Sequence, residues 1–141
     1  MMKKNAVLLA ALMWSVAAFA AAPPKTRLLD FSNDALISVE AAKAVLAEHI
    51  PAKVWKLYPA TKWAFVSQVG GGVTPAGMCV VTARVMLLPL TPTMKAVLLR
   101  PEKTTTAFDA QAGTSLDACK VLAKAKLTEA TAAMVATLVK L

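Results

Sequence analysis

Hydrophobic and polar positions recur along this chain with two different periods, and the changes of period divide it into elements. From Val39 to about His49 the apolar residues Ala42, Val45 and Leu46 and the ring of His49 fall at helical spacing, which predicts a helix packed on a core along one face. Ser38 is placed to cap it, Glu40 stands in the first turn where a carboxylate complements the helix dipole, and Pro51 stops it. The next stretch, Pro51 to Lys62, reads as a short helix with Pro51 at its start or as an irregular turn.

From Lys62 to Val69 the period becomes two, with Trp63, Phe65, Ser67 and Val69 on one face, as in a strand. A second strand is predicted from Ala76 to Pro89. Cys79, Val81, Ala83, Val85 and Leu87 lie on one face, and Met78, Val80, Thr82, Arg84, Met86 and Leu88 on the other. Both faces are apolar apart from Thr82 and Arg84, so this strand belongs in the centre of a sheet; Arg84, if buried, needs a carboxylate or carbonyl partner, and structural pairing is its expected use. Its length predicts a bend or bulge, and Pro89 its end. Gly70, Gly71, Gly72, Pro75 and Gly77 are expected to form a mobile loop joining the two strands.

Weaker strands are expected at Arg27 to Phe31 and at Lys103 to Ala110, where Thr104, Thr105 and Thr106 form a β-branched run. Ala96 to Leu99 fits a short strand or a packed loop. Thr114 and Asp117 then form a T-x-x-D capping pair before a long periodic segment. Its apolar stripe runs Leu116, Cys119, Ala123, Leu127, Ala130, Met134, Leu138, Leu141.

The two cysteines connect these periodicities. Cys79 lies on the strand face that carries Val81 and Val85, and Cys119 on the helix stripe, so both thiols are directed at one core. Their bond would close a loop of about 41 residues and contribute roughly 4 kcal/mol by loop entropy. The predicted fold is therefore α+β: a small antiparallel sheet of three to four strands packed against an N-terminal helix and a long C-terminal helix, with one disulfide.

The first twenty residues change the picture of where the protein works. Lys3 and Lys4 precede an apolar run from Ala6 to Leu12, and small residues follow, ending in Ala18-Phe19-Ala20: the anatomy of a secretory signal peptide with an A-x-A cleavage site. The rival reading, an uncleaved membrane anchor, is weakened by the alanine content of the run. The expected division is a signal peptide over 1–20, an extended segment over 21–35 and one α+β domain over 36–141, located in the periplasm or secreted, with no membrane span after cleavage. A disulfide suits such an oxidising compartment. The chain of 141 residues carries 16 basic and 8 acidic side chains; without Lys3 and Lys4 the balance is 14 against 8, or +6. That excess is spread along the chain, unlike the dense basic runs of nucleic-acid arms, so no nucleic acid is expected as a partner.

Catalytic chemistry finds little support. The sole histidine, His49, stands at a helix end, the cysteines are committed to each other, and the eight carboxylates are scattered. No metal site and no cofactor are expected. Gly70-Gly71-Gly72 lacks the G-K-[ST] of a phosphate loop and precedes a strand rather than a helix. One constellation suggests recognition: Lys53, Trp55, Lys56, Tyr58, Lys62 and Trp63 interleave basic and aromatic residues, as a protein interface or a polyanion grip requires. Core packing of the tryptophans is its plainer explanation. With Gly71 and Gly72 of the loop, these residues form the expected interface. Further basic groups, Lys95 with Arg100 and Lys103, and Lys120 with Lys124, suit a solvated surface.

The functional expectation is a non-enzymatic exported protein that docks a protein partner in the envelope, as an inhibitor, an immunity-type protein or an accessory subunit of an envelope system. The alternatives are a binder of anionic envelope polymers through the dispersed lysines, and an enzyme whose residues are not recognisable.

Overall fold

The computed structural model describes residue 22 and residues 24–139; the predicted signal peptide and Leu141 of the helical stripe lie outside the described residues. The chain runs β1 (Leu28–Asp30), α1 (Val39–His49), α2 (Ala52–Leu57), β2 (Trp63–Val73), β3 (Met78–Pro89), β4 (Lys103–Ala112) and α3 (Leu116–Leu138). The strands form one sheet in the order β1-β2-β3-β4. β2, β3 and β4 pair antiparallel, while β1 joins β2 in parallel, so the sheet is mixed. The helices lie on one face, giving an α+β domain with an N-terminal helix, a long C-terminal helix and one disulfide.

α1 starts where Ser38 accepts a hydrogen bond from the Ala41 N–H, and Ala42, Val45 and Leu46 are its buried face. α2 follows Pro51 and buries Val54. α3 is capped by Ser115, which accepts from the Ala118 N–H. Thr114 instead donates to the Gln111 carbonyl, so the T-x-x-D pair is not the cap. Along α3 the buried residues include Cys119, Leu122, Ala123, Leu127, Ala130, Met134 and Leu138; Leu116, expected on the stripe, is half exposed in the first turn.

β3 is the central strand. Cys79, Val81, Ala83, Val85 and Leu87 are all fully buried on the helix face, as their alternation predicts. Its pairs with β2 and β4 run without an inserted residue, so the expected bulge is absent: two partners of nearly its own length support it throughout. Cys79 bonds Cys119 with 5.6 Å between the Cα atoms, tying α3 to the middle of the sheet.

The glycine run is not a loop. β2 continues through it to Val73, with Gly70, Gly71 and Gly72 opposite Thr82, Val81 and Val80. The turn is Thr74 to Gly77: the Gly77 N–H donates to the Thr74 carbonyl and the Met78 N–H to the Thr74 hydroxyl. Gly71 is required in the strand because its φ is 115° and a Cβ there would overlap the Val80 carbonyl.

β1 is only three residues long and is fixed by side chains as well as by its ladder. Ser67, fully buried, donates to Asp30 Oδ1 at 2.5 Å, and Ser32 donates to the same oxygen at 2.6 Å while accepting from the Val69 N–H at 2.9 Å. Among the described residues no helix is long and apolar enough to cross a membrane.

Candidate functional site

The aromatic residues of the Lys53–Trp63 stretch are half-buried and belong to the packing of the domain. Trp55 meets Phe65 edge to face with ring centroids 5.1 Å apart, and Tyr58 meets Trp63 in the same way at 5.5 Å. Lys53, Lys56 and Lys62 are exposed. One side of Trp55 lines a groove of about 550 Å³ with Ile50 and Pro59, and Lys25 and Lys56 lie on the same groove. Lys53 faces a different cleft, between His49 and the end of α3 at Val135 and Val139.

The structure does not bring this stretch together with Gly71 and Gly72. Trp63 begins β2 opposite Pro89, whereas Gly72 lies opposite Val80 beside the turn. At about 3.3 Å per residue, Trp63 and Gly71 stand about 26 Å apart along the strand. Gly71 and Gly72 belong to a paired strand rather than a free loop tip, so the two halves of the expected interface occupy opposite ends of the hairpin.

A different surface has the character of a docking site. The helices cover one face of the sheet; the other carries Phe31, which is 56% exposed, Phe108 at 64% and Met78 at 40%. Register places Arg84 between Gln68 on β2 and Thr106 on β4, and Phe108 beside Thr82. Arg84 is exposed and has no hydrogen-bond or ion-pair partner among the described residues, in contrast to the structural pairing expected of it. α1 and α3 pack on the helix face; on the opposite face Ala64, Val66 and Leu88 are buried, while Arg84, further along β3, stays exposed.

Gly70 shapes this face. With no side chain beside Thr82, it leaves a hollow of about 480 Å³ bounded by Phe31, Asn33, Gln68 and Arg84, and a Cβ at Gly70 would meet no atom within 4 Å. A smaller hollow of about 270 Å³ continues past Arg84 to Met86 and Leu98. Aromatic rings around an unpaired guanidinium form the combination that dominates protein interfaces. Nothing in the sequence pattern marks Phe31, Gln68 or Phe108 for a functional role. The helices, one long and two shorter, all contribute to the core on a single face of the four-stranded sheet.

Charge is arranged differently on the helix side. Lys126 donates to Glu129 at 2.7 Å and lies 3.9 Å from Asp109. The Glu129 hydrogen bond holds the Lys126 ammonium above its usual range against an opposing desolvation, with lesser help from the Glu129 and Asp109 charges. Both cysteines are consumed by the disulfide.

No protein-family model matches the chain, and no curated protein matches it. Among solved structures it is similar to a PelC dodecamer variant from Paraburkholderia phytofirmans, at 9% identity over 76% of this chain and 86% of that one. The TM-score is 0.42, a likeness too low to carry an argument about this chain.

Proposed function

We propose that this is an exported, non-enzymatic interaction protein that docks a protein partner in the periplasm or outside the cell, as an inhibitor, an immunity-type protein or an accessory subunit of an envelope system. The observation that carries the reading is the open sheet face, where unpaired Arg84 stands among Gln68, Thr82 and the exposed rings of Phe31 and Phe108. Such a face suits a partner that presents a carboxylate within an apolar patch, because Arg84 then gains a charged acceptor while the rings lose water. The A-x-A leader and the disulfide support the compartment.

The test is capture from an envelope extract with the mature chain as bait, followed by titration of the purified partner. Arg84→Glu should weaken binding by a hundredfold or more, on the order of 3 kcal/mol for reversing a central charge. Equal affinity of wild type and Arg84→Glu refutes docking on this face.

A second reading has its own observation: Lys25 and Lys56 on the apolar Trp55 groove suit an anionic envelope polymer. Binding that falls steeply with salt, is lost in Lys56→Glu and is indifferent to Arg84→Glu would favour it.

A further inference from the structure

The outer edge of β4 is built to pair with itself. Among the described residues β4 is the last strand of the sheet, and one side of its backbone meets no other strand of them. The side that faces outward follows from the Gly113 N–H, which donates to the Gly77 carbonyl at 3.0 Å. Antiparallel alternation from that bond directs the odd-numbered residues of β4 toward β3 and the even-numbered ones away from it.

The outward donors have boundaries. At one end the Glu102 N–H is taken by the Leu87 carbonyl, and Pro101 before it has no N–H. At the other, the Ala110 N–H is taken by the carboxylate of its neighbour Asp109 at 2.8 Å. Between them Thr104, Thr106 and Phe108 present N–H and carbonyl groups to solvent, symmetrically about Thr106.

We infer that two copies of this chain associate through the β4 edges, antiparallel about a two-fold axis at Thr106. Thr104 then faces Phe108 of the other copy, Thr106 faces its own counterpart, and each of these three pairs exchanges two backbone hydrogen bonds. The ring of Phe108, 64% exposed in the single chain, gains the opposite Thr104 as a cross-strand neighbour. On the helix face the same register sets Lys103 of each copy opposite Asp109 of the other, an attractive cross-strand pair at both ends of the seam.

Charge selects this register. Centring the axis on Ala107 would set Lys103 against Gln111, and centring it on Phe108 would set Asp109 against Ala107; neither pairs the two charges. The lysine that opens β4, in other settings a guard against edge pairing, is matched only when Thr106 is the centre. The inference is independent of the docking role of the open face. Edge pairing continues that face across the two-fold axis without covering Arg84.

The experiment is sedimentation of the mature chain over a wide concentration series. The wild type should be a reversible dimer. Thr106→Pro removes a central outward N–H and spares the β3–β4 ladder, so it should remain folded by circular dichroism and weaken dimerisation at least tenfold. Lys103→Asp sets like charges together at both ends and should weaken the dimer roughly tenfold; adding Asp109→Lys should restore it to within about threefold of wild type. A wild type that is monomeric throughout overturns the inference, as does a folded Thr106→Pro that dimerises like wild type. Should Thr106→Pro fail to fold, the charge pair decides: identical affinities of the wild type, the single and the double charge variants overturn it.

Discussion

Cys79 in the central strand and Cys119 in α3 are bonded with both side chains fully buried, so the covalent link passes through the core rather than over it. α3 otherwise rests on the sheet through Leu127, Ala130 and Met134, and the bond fixes its first turns above β3.

Loss of that bond should be costly and measurable. Cys79→Ser is predicted to lower unfolding free energy by about 3 to 4 kcal/mol, checked by denaturant titration. The wild type should show no reactive thiol even when unfolded, and the variant one per chain, exposed only on unfolding because position 119 is buried. Two free thiols in the wild type would contradict the link.

The glycines of β2 should separate cleanly. Gly71→Ala forces a side chain against the Val80 carbonyl at a positive φ and should cost about 2 kcal/mol or more. Gly70→Ala, with open space around its Cβ, should change stability by no more than about 0.5 kcal/mol. Thermal melts of the two variants under identical conditions make the comparison.

Gly70 also allows docking to be tested without disturbing the fold. Gly70→Val introduces a side chain of good strand propensity into the hollow beside Thr82 and Arg84. Stability should be kept or slightly raised, while affinity for the partner should fall at least tenfold in a binding titration.

The buried Ser67–Asp30 hydrogen bond should hold the edge strand in register. Asp30→Ala leaves the Ser67 hydroxyl with only a 3.4 Å contact to the Leu29 carbonyl, a loss of about 1 to 3 kcal/mol. Hydrogen exchange should then accelerate at the Phe31 and Asn33 amides, which donate to Ser67 and Val69, before it does in β3.

What the sequence made legible was whatever a local period or a cap decides. α1 lies between Ser38 and Pro51 as expected, and β3 presents the predicted alternation to the helices. The cysteines fell on matching faces because two periodicities had to agree. Three glycines in a row read as a loop, yet a strand accepts them when its partner supplies the ladder, as Val80 to Thr82 do. The parallel pairing of β1 escaped notice because three residues carry no period; the contacts of Asp30 and Ser32 with β2 accompany it. The open face escaped for a different reason. Alternation on β3 shows which residues share a side, and only the placement of the helices shows which side is covered, so the exposure of Arg84 is not legible from its apolar strand. In the aromatic-basic stretch Trp55, Tyr58 and Trp63 pack on the core, and the lysines are solvated.

The most direct test of the docking account is site-specific photo-crosslinking in the envelope of the producing cell. A crosslinking residue at position 84 is predicted to give a discrete protein adduct, and one at position 56, on the Trp55 groove, to give none. An adduct from position 56 without one from position 84 would contradict the account and return the interface to the aromatic-basic stretch.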